Sequence, residues 1–354
     1  MAQRAPNGNA MVRQQSLEER MAHEERCMGV MLWKACGDAL GALVEGLDAA
    51  RIAHHYPIGI TRYHDNPRGA GCYTDDTQMA VGLARALVAK GGRLDAESAA
   101  RAYVAVFQPH RGYGGKTCKI LAECKADPHM PWQAMAQLAT KYTPEGSFAN
   151  GGAMRIAPVG LVYRNAQPSV LLTAVTAALR LTHVHPVGVD GALIQAAAVG
   201  WLSRQPPPIV PMPKQEQIAF FNRLLSHLVP LAQTDRMRAQ LKALRLLLRQ
   251  RPDAVSDAPA PAPAAPGPIG AAGAAAAAAI PLPSGLRVDQ LARAQLKTFW
   301  AQHLRTPAWQ QELYAASRIS SEPFQLRADD AVAVALCAFV HHGLSALPAS
   351  AVVA

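Results

Sequence analysis

Apolar residues recur at helical spacing in several parts of the chain. Met79, Leu83 and Leu87 lie four positions apart, and the pair Gly91-Gly92 follows them. This spacing places side chains on one face of a helix, and paired glycines commonly end one. The pattern predicts a helix that begins at residues 74–76. The same argument predicts a first helix with apolar positions Met28, Leu32, Ala35, Leu40 and Leu43, and a late helix with apolar positions Met237, Leu241, Leu244 and Leu248.

The composition describes a folded protein. Half of the 354 residues are hydrophobic and 17% are charged, which suits one or two globular domains. Residues 1–25 are polar and are predicted to be a flexible lead-in, and 26–251 form the main part of the domain. Residues 252–285 are an Ala/Pro-rich tract, predicted to be a disordered insertion, and 286–345 are predicted to be the last helices of the same domain.

The cysteines and the uncharged runs bear on the compartment. The six cysteines include no Cys-x-x-Cys pair, and several lie in apolar helical segments, where a free thiol acts as a small hydrophobe. We therefore expect a reducing compartment, either the cytoplasm or the nucleus, with the mitochondrion left open. The longest uncharged run, 258–286, is broken by Pro and Gly, so no membrane span is predicted.

Thr74, Asp75 and Asp76 lie together where a turn gives way to the predicted helix. Such residues often cap helices, because their oxygens accept hydrogen bonds from the first amides and carboxylates complement the helix dipole. The same oxygens are the ligands that Mg²⁺ prefers, and Mg²⁺ needs only a few protein ligands beside water and substrate. The trio alone leaves both interpretations open.

A glycine-rich turn at 112–117 reads Gly-Tyr-Gly-Gly-Lys-Thr and opens a further helix. Its last four residues resemble a phosphate-binding P-loop, but that motif requires Gly where this chain has His110. Backbone amides of such a turn, flanked by Arg111 and Lys116, can still hold a diphosphate. The alternative is a flexible basic turn.

The segment 37–46 reads Gly-Asp-Ala-Leu-Gly-Ala-Leu-Val-Glu-Gly. Gly37 and Gly41 are compatible with close helix packing, and Asp38 with a hydrogen-bonded acid in the core. Glu45 lies at the end of the predicted helix, where the helix dipole disfavours an acid. An unfavourable position of this kind indicates a loop with a chemical role.

Two further stretches have ordinary structural explanations. Asn150-Gly151-Gly152 supplies backbone donors and positive φ angles, as many turns do. Thr182-His183 lies between two Ala-rich helices, where a single histidine usually has a structural role. Neither stretch indicates a function by itself.

Taken in order, these five stretches resemble the ADP-ribosylglycohydrolase (ADP-ribosylhydrolase) family, most closely the branch that removes ADP-ribose from serine and degrades poly(ADP-ribose). The resemblance covers roughly 28–202, and its specificity lies in the order and spacing of the motifs. The motifs are Gly37-Asp38-x-x-Gly41-x-x-x-Glu45, Tyr73-Thr74-Asp75-Asp76-Thr77, Arg111-Gly112-Tyr113-Gly114, the run Gly-Ser-Phe-Ala-Asn-Gly-Gly-Ala-Met-Arg at 146–155, and Thr182-His183.

The resemblance implies an all-α fold, a compact helical domain with two Mg²⁺ ions bound between helices. It implies that Thr74, Asp75 and Asp76 are metal ligands and that Glu45 is the catalytic acid on a mobile flap. The residues that it places around ADP-ribose are Gly112, Tyr113, Gly114, Gly115, Ser147, Phe148, Gly151, Met154 and His183. The implied reaction is Mg²⁺-dependent hydrolysis of the glycosidic bond of ADP-ribose, attached to protein side chains or within poly(ADP-ribose).

One family motif has no counterpart in these 354 residues. After its penultimate helix, which 326–339 resembles, the family carries a Gly-Gly-Asp-Thr-Asp-Thr stretch that completes both metal sites. The acids in this part of the chain are Asp329 and Asp330. Two hypotheses follow: a hydrolase, or a truncated or degenerate family member that binds ADP-ribose without efficient hydrolysis.

The segment 236–251 combines an apolar face with many arginines and lysines. Such a pattern is usually a solvated helix face, but on a chain of net charge +10 it would also attract a polyanion. The predicted partners are therefore ADP-ribosylated proteins or poly(ADP-ribose), with weak polyanion binding through this helix as a second expectation.

Overall fold

Helices account for the secondary structure in the computed structural model, which describes residues 17–45, 47, 49–56, 63, 69, 71–206, 212–250, 327–329, 331–333 and 335–336. The longer helices are α1 (Leu17–Gly41), α2 (Ala49–His55), α3 (Asp75–Ala89), α4 (Ala96–Val106), α5 (Gly115–Ala126), α6 (Trp132–Tyr142), α7 (Ala157–Val162), α8 (Pro168–Leu179), α9 (Pro186–Leu202), α10 (Lys214–Leu228) and α11 (Asp235–Gln250). Short 3₁₀ turns lie at Pro109–Arg111, Ala153–Arg155 and Val229–Leu231.

The predicted all-α fold is confirmed for the described residues. They contain no strand, and their one β-bridge is an isolated pair between Ala149 and Arg327. Within them, every helix is too short or too polar to cross a lipid bilayer. The five described cysteines are free thiols, as the sequence predicted.

Helix α9 lies at the centre of the core. Most of its residues between Val187 and Gly200 are buried, as expected for a helix that is apolar on every side. It packs against α7, α8 and α10. The approach of α7 is close, since a Cβ atom on Gly160 would lie 2.5 Å from the Ala196 carbonyl oxygen, and only glycine fits there.

Helix α3 follows its predicted pattern. Met79, Leu83 and Leu87 are all buried in the main core, and the helix packs against α4, α7 and α1. Its first turn is therefore held by a rigid body of helices. The residues of that turn reach the surface of a cavity that is described below.

Helix α1 differs from its prediction in two respects. It begins at Leu17, so the helix starts before the predicted boundary at residue 25. Its apolar positions Met28 and Leu32 are 59% and 61% exposed. The buried side carries Val30 instead, which packs in a small cluster whose other members are Cys27, Ala157, Leu161 and Val199.

Helix α11 is attached to α9 through a buried carboxylate. Asp190 accepts hydrogen bonds from the backbone N–H groups of Gln233 and Thr234 at 2.9 and 2.8 Å, and from the Thr234 hydroxyl at 2.6 Å. These contacts fix the start of α11. The apolar positions that the sequence predicted for this helix are all buried: Met237, Leu241, Leu244 and Leu248.

Two basic residues of α11 are engaged within the chain. Arg236 pairs with Asp329 at 3.2 Å, and Arg238 pairs with Asp235 at 2.6 Å. Both therefore contribute less to a polyanion-binding face than the sequence pattern suggests. Binding of a polyanion by the remaining charges stays a prediction.

The C-terminal residues that the structure describes belong to the core. Ala328, Val332, Ala333 and Leu336 are buried, and the Ala328 N–H donates to the Phe148 carbonyl oxygen at 2.9 Å. The predicted insertion at 252–285 and most of the predicted helices at 286–345 lie outside the described residues, as does Asp330.

Candidate functional site

A cavity of about 820 Å³ opens between α1, the start of α3, the start of α5 and the loop at 147–154. The structure brings nearly all of the predicted site residues to its surface. Those that line it are Glu45, Thr74, Asp75, Asp76, Gly112, Gly114, Gly115, Ser147, Gly151, Met154 and His183. The predicted residues that do not line it are Tyr113 and Phe148.

Asp38 organises the start of α3. Its carboxylate accepts a hydrogen bond of 2.6 Å from the Thr74 hydroxyl and bonds of 3.0 Å from the backbone N–H groups of Thr74 and Thr77. Thr74 in turn caps α3, because its hydroxyl accepts from the Asp76 N–H at 3.3 Å. The cap is thus real, and it fixes the direction of the two following carboxylates.

The two carboxylates after Thr74 lie in an environment that disfavours their charge. Burial, followed by the nearby Asp76, raises the pKa of Asp75 to about 7. Burial also raises the pKa of Asp76 to about 6, although the Lys34 ammonium acts against this shift. Glu45 contributes repulsion to both. Two acids that repel each other in this way are stabilised by a cation.

These donors suit a divalent cation in their chemistry. Thr74, Asp75 and Asp76 offer a hydroxyl and two carboxylates on one side of the cavity, and hard oxygens of this kind are the ligands that Mg²⁺ prefers. Among the described residues, however, no group of three or more His, Cys, Asp or Glu side chains has the geometry to hold a metal.

Asp329 does not belong to this acidic cluster. It is fully buried and pairs with Arg236 and Arg327 at 3.2 and 3.1 Å. Its side chain is absent from the lining of the cavity. Asp329 therefore does not take the place of the missing family acids at this cavity, because two arginines hold its carboxylate elsewhere.

The opposite side of the cavity is a helix start. Gly112 has φ 96° and ends the preceding turn, and α5 begins at Gly115 with Gly114 as its N-cap residue. No side chain caps this helix, and its first turn has no acid. The amides of the first turn are therefore available to an anion, and Lys116 lines the cavity beside them.

Arg111 holds this loop in place. It donates to the Tyr73 carbonyl oxygen at 3.0 Å, and its guanidinium lies 4.1 Å from the centre of the Tyr73 ring. The side chain therefore joins the loop to the residue before Thr74. It connects the two sides of the cavity and does not line it.

Tyr113 points into the core, so its predicted place around the ligand is wrong for the side chain. It is 7% exposed, donates to Gln78 Oε1 at 2.7 Å, and packs edge-to-face on Phe107 at a ring distance of 4.9 Å. The residue anchors the glycine-rich loop to α3. Neighbouring positions in a turn point in different directions, and the sequence motif does not show which one is buried.

His183 is buried at the edge of the cavity as a neutral ring. Its Nδ1 lies 2.8 Å from the Thr182 hydroxyl, which accepts a bond of 2.6 Å from Arg155. Because Thr182 already accepts from Arg155, it can donate its own proton to Nδ1, which leaves the proton of His183 on Nε2. Burial, helped by the Arg155 charge, lowers the pKa of His183 to about 3, so the ring is neutral at ordinary pH.

The loop at 147–154 lies directly against this histidine. A Cβ atom on Gly151 would come within 2.7 Å of His183 Nε2 and Cε1, so this position has room only for glycine. This contact explains why the predicted turn needs glycine at 151: the backbone covers the His183 ring and then turns toward the cavity.

Phe148 lies outside the lining of the cavity, against the prediction from the motif. It is 45% exposed, its ring contacts His185 at 6.0 Å, and the Arg327 guanidinium lies 5.5 Å from its centre. The alternation of side-chain direction between Ser147 and Ala149 explains this position, since both of those residues line the cavity.

Several lining residues were not among the predicted site residues. On α1 they are Lys34, Gly37, Asp38 and Gly41, and elsewhere they include Lys116, Thr117 and Asn150. The α1 residues recur at spacings of three and four positions, which is the signal for a single helix face. A Cβ atom on Gly37 or Gly41 would meet nothing within 4 Å. These glycines therefore face the cavity, and the interpretation as close helix packing is wrong.

Comparison with known proteins agrees with the motifs. The family model described as ADP-ribosylglycohydrolase matches residues 19–298. The chain is 28% identical over 241 residues to ADP-ribosylhydrolase ARH3 of Gallus gallus, which covers 62% of this chain and 59% of that protein. It is 32% identical over 170 residues to the ADP-ribosyl-[dinitrogen reductase] glycohydrolase of Rhodospirillum rubrum, which covers 46% of this chain and 53% of that protein.

These matches span between half and three fifths of the length of the two relatives. A solved chain described as an "ADP-ribosylglycohydrolase-related protein complex" is similar with a TM-score of 0.47 and 22% identity, over 94% of this chain and 92% of that chain.

The Asp38 contacts predict a specific loss of stability. In Asp38→Asn, an amide group would replace one of the two acceptor oxygens and face N–H donors of Thr74 or Thr77. We expect the free energy of unfolding, measured by urea titration, to fall by about 2 kcal/mol or more.

The matched control is Asp95→Asn at the exposed start of α4. Asp95 accepts from the Ser98 N–H at 2.7 Å, but water can replace this bond. Its loss should cost less than about 1 kcal/mol. Equal losses for the two variants would contradict the organising role of Asp38.

Proposed function

This chain belongs to the ADP-ribosylglycohydrolase family, and on that premise we propose that it hydrolyses the glycosidic bond of ADP-ribose attached to a protein side chain or within poly(ADP-ribose). One observation carries the proposal. A single cavity brings together an acidic helix start, a glycine-rich helix start and a neutral histidine from distant parts of the sequence. These are complementary to the diol, the diphosphate and the polar groups of one ligand.

The diphosphate would lie at the start of α5. Amides of the first turn and the Lys116 ammonium face the cavity there, and both stabilise an anion. Because Gly112 and Gly114 have no side chains, the ligand can approach the backbone closely. His183 would donate a hydrogen bond from Nε2 to an acceptor of the ligand, since its ring is neutral.

We propose that Thr74, Asp75 and Asp76 hold Mg²⁺ on the other side of the cavity. When bound there, Mg²⁺ would supply positive charge that orients the ribose diol and polarises the anomeric region. The raised pKa values of the two acids support this assignment, because a cation would compensate their charges.

Glu45 would move the proton of the reaction. It lies in the turn that follows α1, exposed at the cavity. In the proposed hydrolysis, a water oxygen forms a bond to the anomeric carbon while the bond to the leaving group breaks. Glu45 would carry a proton from the water to the leaving atom.

The alternative is a protein that binds ADP-ribose without efficient hydrolysis. The absence of a three-residue metal group among the described residues favours it, because fewer ligands mean weaker metal binding. The ligand-binding half of the cavity does not depend on those ligands. Binding and turnover therefore have to be measured separately.

A turnover assay with a serine-ADP-ribosylated peptide tests the function. We expect the 354-residue chain to release ADP-ribose in Mg²⁺, and Glu45→Gln to lower kcat by about 100-fold or more. Calorimetric binding of ADP-ribose should persist in this variant, since Glu45 is assigned to the proton alone. Binding by the parent chain without any release would support the alternative function instead.

The glycine-rich loop predicts a loss of binding without a loss of fold. Gly114 has φ −54°, and a Cβ atom there would meet nothing within 4 Å, so Gly114→Val is compatible with the backbone. Its side chain would fill the place proposed for the diphosphate. Calorimetry should show ADP-ribose affinity reduced by about tenfold or more.

Gly29→Val on α1 is the control for this substitution. It also places Cβ in open space, but Gly29 does not line the cavity. An equal loss of affinity in both variants would mean that the loop has no special role in binding.

The acid pair predicts how metal binding depends on pH. Without metal, the folded state holds the protons of Asp75 and Asp76 more tightly than the unfolded state, because their pKa values are raised to about 7 and about 6. Stability should therefore fall as pH rises from about 4 to about 7. Mg²⁺ should reverse that fall, and its increase in Tm should be larger at about pH 8 than at about pH 5.5.

The measurement is a thermal melt at several Mg²⁺ concentrations and both pH values. Asp75→Asn should remove most of the Mg²⁺-dependent increase. An increase that is independent of pH, or that survives this substitution, would place the metal away from the acid pair.

A further inference from the structure

One face of α1 borders the cavity beside the acid pair. Lys34, Gly37, Asp38 and Gly41 share this face, and all four line the cavity. The two glycines present only backbone there, with open space where a Cβ atom would lie. Lys34 is therefore the one long side chain that this face of α1 directs to the cavity.

The Lys34 ammonium interacts with the acids that border the cavity. Burial lowers the pKa of Lys34 overall, although the charges of Asp76, Asp38 and Asp75 act against this shift. The carboxylate of Asp38 is already occupied by Thr74 and Thr77. The negative charge that Lys34 compensates is that of Asp76 first, then that of Asp38 and of Asp75.

We propose that Lys34 acts as an intramolecular cation at the acid pair and competes with Mg²⁺ for it. The inference rests on the metal assignment of the proposed function and adds a residue that none of the motifs includes. A positive side chain beside the ligands lowers the local negative potential that attracts a divalent ion. It also stabilises the two carboxylates when no metal is bound.

Two consequences follow for this chain. Its affinity for Mg²⁺ is lower than the acids alone would give, so metal loading depends on the free Mg²⁺ concentration. A bound Mg²⁺ would also repel the ammonium, and the flexible stem of a lysine lets that charge move aside more easily than arginine's planar group.

The test is a titration at about pH 8 with Mg²⁺ alone, without ADP-ribose. Binding is measured by calorimetry and by the change in Tm. Lys34→Met removes the charge and keeps a long apolar stem. We expect its Mg²⁺ affinity to be at least about tenfold higher than that of the parent chain.

Lys34→Arg and Lys242→Met are the controls. The first retains the charge and should not gain Mg²⁺ affinity. The second removes an exposed lysine of α11 that does not line the cavity, so its affinity should match that of the parent chain. If circular dichroism shows that Lys34→Met does not fold, Lys34→Gln takes its place with the same expectation.

Unchanged or weaker Mg²⁺ binding in the folded charge-removing variant would overturn the inference. The turnover assay separates this result from a failure of the proposed function. Tighter Mg²⁺ binding without any ADP-ribose release would leave Lys34 as a competitor in a protein that is not a hydrolase. Efficient release with unchanged Mg²⁺ affinity would remove the inference and keep the function.

Discussion

The hydrogen bonds from Thr74 and Thr77 to Asp38 are the contacts on which the cavity depends. Asp38 lies on α1 and the two threonines at the start of α3, so these bonds join two helices that are far apart in sequence. They orient the first turn of α3 and thereby bring Asp75 and Asp76 to the cavity surface. This contact explains why the sequence carries an acid on α1 and, much later, a capped acid pair at the start of α3.

The two sides of the cavity have opposite electrostatic character. The start of α3 presents carboxylates, whereas the start of α5 presents amides and Lys116. Both are helix N-termini, which favour negative charge. At α5 the chain supplies no acid, so this position remains for an anionic ligand. At α3 the chain's own carboxylates occupy the helix N-terminus, and a cation would reduce the repulsion between them.

The spacing of apolar residues predicted the helices whose buried faces it sets. The motifs predicted which segments come together at the cavity. The buried faces of α3 and α11 follow their apolar periods. The period of α1 was misleading, because Val30 rather than Met28 or Leu32 faces the core. A motif does not show which way a side chain points. This limit applies to Tyr113, Phe148 and Asp329, because the direction of each side chain depends on partners that are distant in sequence.

Charged side chains close to the cavity change the protonation of the residues that line it. Arg155 is fully buried, and its guanidinium is held by Thr182 and lies 4.6 Å from the centre of the Tyr103 ring. Burial disfavours a charged His183 and the Arg155 charge adds to this effect, so the histidine is a neutral donor. Lys34 has the opposite effect beside the acid pair, because its ammonium favours the charged form of Asp76. The family motifs include Arg155 but not Lys34, so the motifs alone did not indicate the positive charge beside the acid pair.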